Sequence, residues 1–157
     1  MKKRLEQRMY GLVPYNISPI QQGIQFGHAV VEYGLDYGHG HADDPYLQWA
    51  RNDKTFIILN GGTTNNNSEH WGTLNQAVLE LGRLRVQKAT FNEPDLGDQL
   101  TAVVFLVDER VWDKEKYPEY NPHHTDMEPW DYYDLLFGED AKHVLDMRDF
   151  LSQYKLA

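Results

Sequence analysis

Ser18-Pro19-Ile20-Gln21-Gln22-Gly23-Ile24-Gln25-Phe26-Gly27-His28-Ala29 decides how this chain folds, because it opens a helix and lays two different stripes along it. Ser18 has the side-chain oxygen that an N-cap needs, and Pro19 suits the first helical position, where no backbone donor is lost. Ile20, Gly23, Ile24, Gly27 and Val31 recur at helical spacing and predict a face, thinned by two glycines, that packs on a sheet. Beside it run Gln21, Gln25, His28 and Glu32, each three or four residues after the last. A helix that only packs needs no such line of two amides, an imidazole and a carboxylate, so the stripe is either a solvated face or the wall of a site.

Working outward, residues 9–14 form a short apolar run ended by proline and read as a first strand leading into the Ser18 helix, which is expected to fray near Gly34. Residues 36–45 are loop by composition, and residues 46–51 suit a short second helix. Lys54-Thr55-Phe56-Ile57-Ile58-Leu59-Asn60 is the strongest strand signal, a nearly continuous apolar run of the kind buried on both faces. Residues 61–68, rich in glycine, threonine and asparagine, read as a loop. Leu74, Ala77, Val78, Leu81 and Leu84 then follow the spacing of an amphipathic helix. Residues 88–93 and 100–107 are two further strands, joined by the short connection Pro94-Asp95-Leu96-Gly97-Asp98-Gln99.

Strand, helix, strand, helix, strand, strand is an α/β order. The long helical connection favours a parallel, right-handed crossover between the early strands, and the short one an antiparallel pairing of the last two. The expectation is a small mixed four-stranded sheet with helices on both faces. With 157 residues the chain is long enough for one ordinary core, and it has no cysteine, so disulfides and thiolate metal sites are excluded. The basic start Met1-Lys2-Lys3-Arg4 is followed by no apolar stretch of membrane-spanning or signal-peptide length, and a soluble, cytoplasmic protein without membrane contact is expected.

Charge divides the chain. The formal net charge is −9, and residues 108–140 alone carry eleven acids against Arg110, Lys114 and Lys116. A near-neutral body at residues 1–107 with an acidic, aromatic-rich extension at residues 108–157 follows, the extension packing on the same domain. This balance speaks against a broad basic surface for nucleic acid and leaves one local basic patch, Arg83, Arg85 and Lys88, as candidate substrate-binding residues.

Three features carry a family resemblance: the first strand leading into a helix with Gln25-Phe26-Gly27-His28-Ala29, the apolar strand at residues 55–59, and the acidic turn Glu93-Pro94-Asp95 before Leu100-Thr101-Ala102. Over residues 9–107 the chain resembles the archaeal and eukaryotic (type II) peptidyl-tRNA hydrolases. The resemblance implies the type II fold, no cofactor, and an ester site in which Gln25 and His28 match family positions, with Asp95 and Thr101 as candidates for its acid and hydroxyl. The family lysine falls on Gln21, so a cation is replaced by an amide. On this reading His28 is the general acid or base, Asp95 orients it, Gln25 donates to the oxyanion, and Gln21 and Glu32 join the basic patch in holding substrate.

Two histidine clusters, His39, His41, Asp43 and Asp44, and His123, His124 and Asp126, have the donor types of a metal site, but neither spacing is a ligand pattern, and no metal is expected. Two functions remain. One is a peptidyl-tRNA-hydrolase-like enzyme cleaving an ester on tRNA or a nucleotide-linked substrate through His28. The other is a non-catalytic interaction protein, an inhibitor or adaptor, that holds a ligand in the same fold or a protein partner through residues 108–140. Homodimerisation is left open.

Overall fold

The computed structural model describes residues 4–67 and 69–157; the first three residues of the basic N-terminus and Ser68 of the asparagine-rich loop lie outside the described residues. Four strands, β1 (Gln7–Pro14), β2 (Phe56–Gly62), β3 (Ala89–Glu93) and β4 (Gln99–Asp108), form one mixed sheet in the order β2-β1-β4-β3. β1 pairs in parallel with β2 and antiparallel with β4, and β3 pairs antiparallel with β4. The protein is thus α/β, with the crossover and the closing hairpin that the connection lengths dictate.

Strand alternation assigns the two faces. Met9, Val13, Ala102 and Val104 share a core with Phe26, Ala29 and Tyr33 of helix α1 (Pro19–Tyr37) and with Trp49. Tyr10, Leu12, Val103, Phe105 and Val107 point the other way, onto Leu74, Ala77 and Leu81 of a second helix (Thr73–Arg83) and onto the C-terminal helices. Between α1 and Thr73–Arg83 lies the short helix α2 (Pro45–Gln48), which makes Thr73–Arg83 α3; a wide π-helical turn, Trp49–Asp53, follows α2. The remaining helices are α4 (Glu109–Trp112), α5 (Pro129–Phe137) and α6 (Ala141–Ser152). Among the described residues no helix is long and apolar enough to cross a membrane.

Several expectations are corrected. The face of α1 that packs is Gln25, Phe26, Ala29 and Tyr33, while Ile20, Ile24 and Val31 are exposed and a β-carbon at Gly23 or Gly27 would meet nothing within 4 Å. The thinning glycine sits on the sheet instead: a β-carbon on Gly11 would fall 2.5 Å from the Phe26 ring. The helix does not fray at Gly34, because that glycine admits Tyr46 against the helix, its hydroxyl 2.6 Å and its ring 2.9 Å from where a β-carbon would stand, and the helix runs on to Tyr37. β2 is an edge strand, not one buried on both faces: Phe56 is 54 % exposed. Gly61 and Gly62 belong to it and not to the loop, Gly62 taking a positive φ of 84° as the strand ends. The second helix is shorter than residues 46–51, its last turn widening into the π-helical one.

The acidic extension completes the second face of the sheet. Val111, Phe137, Ala141, Val144, Met147 and Phe150 join the core built on Leu12, Leu74 and Phe105. The chain end lies along β2: Asn60 N–H donates to the Lys155 carbonyl and Ala157 N–H to that of Ile58, covering an edge that would otherwise present unpaired backbone groups.

Candidate functional site

One cleft of about 530 Å³ gathers the residues of the α1 polar stripe and the β3–β4 turn: Gln21, Ile24, Gln25 and His28 from the helix, Glu93, Asp95 and Leu96 from the turn, and Ile17 and Ser18 at the helix entry. Ser18 is the N-cap, its hydroxyl accepting from Gln21 N–H at 3.2 Å, so the first turn of α1 is pinned where the cleft begins. The opposite wall is fixed by Glu93, which accepts the Asp95 backbone N–H at 3.3 Å as the strand turns into Pro94–Leu96.

Beneath the cleft runs a polar chain. Thr101 hydroxyl donates to Gln25 Oε1 at 2.6 Å, and Gln25 Nε2 donates to Glu93 Oε2 at 2.9 Å, with Gln21 Oε1 at 3.4 Å as a second acceptor. Gln25 and Thr101 are 2 % and 1 % exposed, so their side-chain polar atoms depend on these partners, while Glu93 is half-buried at the cleft wall. Thr101 reaches α1 through a β-bulge. Phe91 of β3 opposes Ala102 and Asn92 opposes Leu100, which leaves Thr101 as the extra residue; Leu100 packs on the α3 face while Ala102 packs on the α1 face. The bulge thereby re-aims a strand threonine into the site.

His28 is exposed on the cleft wall, its ring 4.5 Å from that of Phe91, and its imidazole makes no hydrogen bond among the described residues. The Gln25 amide and the Asp95 N–H hold the Glu93 carboxyl below the usual carboxylate range against a desolvation penalty, and the nearby His28 ring acts in the same direction. Of the two turn carboxylates, Glu93 is the one tied to the helix stripe, through the Gln25 amide. It is also the site residue that sequence reasoning passed over, although it stands in the acidic turn beside Asp95. Gln25, read as an oxyanion donor, has its amide hydrogens committed to Glu93 and Gln21; Gln21 Nε2 has no partner among the described residues.

The other candidates lie elsewhere. Glu32 is half-buried one turn beyond His28 and does not line the cleft. Arg83 ends α3, and Arg85 and Lys88 lie in the connection that leads into β3, whose length, about 13 Å at the usual rise per residue, stands between Lys88 and Glu93. Arg83 pairs with Glu80 at 3.0 Å. The cleft itself contains no lysine or arginine among its described lining residues. Of the histidine loops, Asp44 caps α2 through Tyr46 and Leu47 N–H, and among the described residues no three histidine, aspartate or glutamate side chains converge as metal ligands.

A scan against protein-family models returns no match to this chain, and a search of curated proteins returns none either.

Proposed function

We propose that this cleft hydrolyses an ester, in the manner of the type II peptidyl-tRNA hydrolases that residues 9–107 resemble in sequence. The observation that carries it is the chain that runs from buried Thr101 and Gln25 to half-buried Glu93 beside an exposed histidine, a polar assembly that a packing interface does not require. The sheet order β2-β1-β4-β3, with α1 laid across β1, β4 and β3, supports the same fold kinship.

In this mechanism His28 removes a proton from water as the oxygen attacks the ester carbonyl, and returns it to the departing alkoxide. Glu93, ionised and held in place by Gln25, stabilises the imidazolium that forms between these steps. Gln25 is then a positioning residue. The free Nε2 of Gln21, at the mouth of the cleft, is the side-chain donor available to the oxyanion.

The test is turnover of an ester of tRNA, aminoacylated or peptidylated, by the full chain and by His28→Ala, with circular dichroism as the folding control. Turnover that falls at least a hundredfold in the variant supports the mechanism. Absence of turnover in the wild-type chain, or full activity in the variant, overturns it.

The binding-module reading is favoured by a separate observation, the lack of lysine and arginine among the described lining residues of the cleft, which removes the usual means of seating a phosphate backbone. On that reading α5, with Trp130 and Leu135 exposed among Glu128, Asp131 and Asp134, would meet a partner of basic surface.

A further inference from the structure

We infer that the free edge of β3 is a self-complementary interface, at which two copies of this chain join their sheets antiparallel about a two-fold axis at Phe91. This interface stands apart from the hydrolytic reading: the edge and its flanks carry it, not the chemistry of the cleft.

The two edges of the sheet differ. β2 is covered by the chain end, whereas β3, last in the order β2-β1-β4-β3, has no backbone partner on its outer side among the described residues. The Phe91 carbonyl accepts from the Thr101 hydroxyl at 3.2 Å and the Glu93 carbonyl from Asp98 N–H at 3.0 Å, so both face the β3–β4 hairpin. Strand alternation then turns the N–H and C=O of Thr90 and Asn92 outward. Residues 89–92 contain no proline, glycine or charge, the usual guards of an open edge. A second β3 laid antiparallel with Phe91 opposite Phe91 sets Thr90 against Asn92, and each such pair exchanges both hydrogen bonds. Other registers lose contacts. Sliding two residues one way sets Thr90 against Pro94, which has no N–H; sliding the other way sets Asn92 against Lys88, whose carbonyl already accepts the Tyr37 hydroxyl at 3.3 Å.

The same axis matches the flanks. Lys88 stands just before the strand and Asp95 just after it, and neither side chain has an ion pair among the described residues. Pairing sets the cation of each copy beside the anion of the other. Leu35, 68 % exposed, lies toward the Lys88 end, where Tyr37 reaches the strand; Ile24 and Leu96, also exposed, flank the Asp95 end. The axis brings Leu35 of one copy to Ile24 and Leu96 of the other, and gathers both Phe91 rings with the His28 rings that lie against them. Opposite charges and apolar side chains thus meet at both ends, a match that selects a second copy over an unrelated strand. Leu35 of the second copy then adds a wall to the cleft of the first.

Analytical ultracentrifugation of the full chain tests this, with circular dichroism as the folding control. The wild type is expected to be a dimer at about 100 µM. Lys88→Glu leaves both flanks of the edge negative and Asp95→Lys leaves both positive, so each alone is expected to weaken dimerisation by about tenfold or more. An equimolar mixture of the two variants restores opposite signs at both ends and is expected to recover the dimer. Thr90→Pro removes an outward N–H that the single chain does not use, and is expected to give a folded monomer. A monomeric wild type, single charge variants that dimerise as well as wild type, or a mixture that stays monomeric overturns the inference. So does a folded Thr90→Pro chain that still dimerises; where that substitution unfolds the chain, the charge exchange decides.

Discussion

Thr101 is where the site is most sensitive to a single atom. Its hydroxyl is the donor to Gln25 Oε1, and both groups are shut away from water, so Thr101→Val keeps the side-chain shape and leaves a buried carbonyl unsatisfied. The expected loss is about 1–3 kcal/mol in urea unfolding, the desolvation cost of such a group. A loss below about 0.5 kcal/mol would mean that Gln25 finds another donor and that the chain is not the rigid support described above. The polar stripe Gln21, Gln25, His28 was legible in the sequence because helical spacing alone places those residues on one line. Thr101 was only a candidate there, by resemblance. Its orientation depends on the bulge opposite Phe91 and Asn92, and a one-residue change of strand parity leaves no mark in residue types.

Helix α1 shows how an element can be found correctly and oriented wrongly. Its cap, its first-turn proline and its direction out of β1 were all legible. The stripe Ile20, Gly23, Ile24, Gly27, Val31 carries the regular apolar spacing, yet the buried stripe is Phe26, Ala29 and Tyr33 with Gln25. The polar glutamine among the buried positions and the aliphatic residues among the exposed ones invert the usual amphipathic signal, and the first inversion traces to the site: Gln25 must be buried to reach Glu93 and Thr101. Substitution separates the faces. Ile20 is 76 % exposed, and Ile20→Lys is expected to change unfolding free energy by no more than about 0.5 kcal/mol. Phe26→Ala, which empties the space over Gly11, is expected to cost about 3–5 kcal/mol. A cost above about 2 kcal/mol for Ile20→Lys would show this stripe to be covered in solution, by a second copy or another partner. The second strand was mislocated for a related reason: an apolar run of that length reads as central, and only the pairing order makes it an edge.

At the scale of the whole molecule, the acidic extension is held to the sheet by a buried carboxylate and by an apolar face. Glu109 accepts Glu6 N–H at 2.8 Å and Tyr117 hydroxyl at 3.1 Å, and also pairs with Lys116. Burial alone would raise its pKa; these partners outweigh that and hold it below its ordinary value of 4.5. A carboxyl with a depressed folded pKa adds stability that is present above the unfolded value and is lost as pH falls through the folded one. Glu109→Gln is therefore expected to lower stability at pH 7 by about 1–3 kcal/mol relative to wild type, with the gap closing as the pH is taken down to about 3, read by urea unfolding at both. A gap that stays constant would assign the loss to packing and not to charge. The charge asymmetry at residues 108–140 and the aromatic residues within it were legible as an extension packed on the same domain, and Phe137, Val144, Met147 and Phe150 do that packing, closing the face of the sheet that carries Leu12 and Phe105. At about 1.5–3 kcal/mol for each large side chain buried, those four contribute roughly as much as the whole net stability of an ordinary domain. Deleting residues 113–157 removes them and uncovers β2, where Asn60 and Ile58 pair with the chain end. Such a truncated chain is expected to aggregate, or to bind a hydrophobic dye without a cooperative thermal transition. A soluble truncated chain that melts cooperatively would instead mean that the first 112 residues fold by themselves, making the extension a separable module for a basic partner.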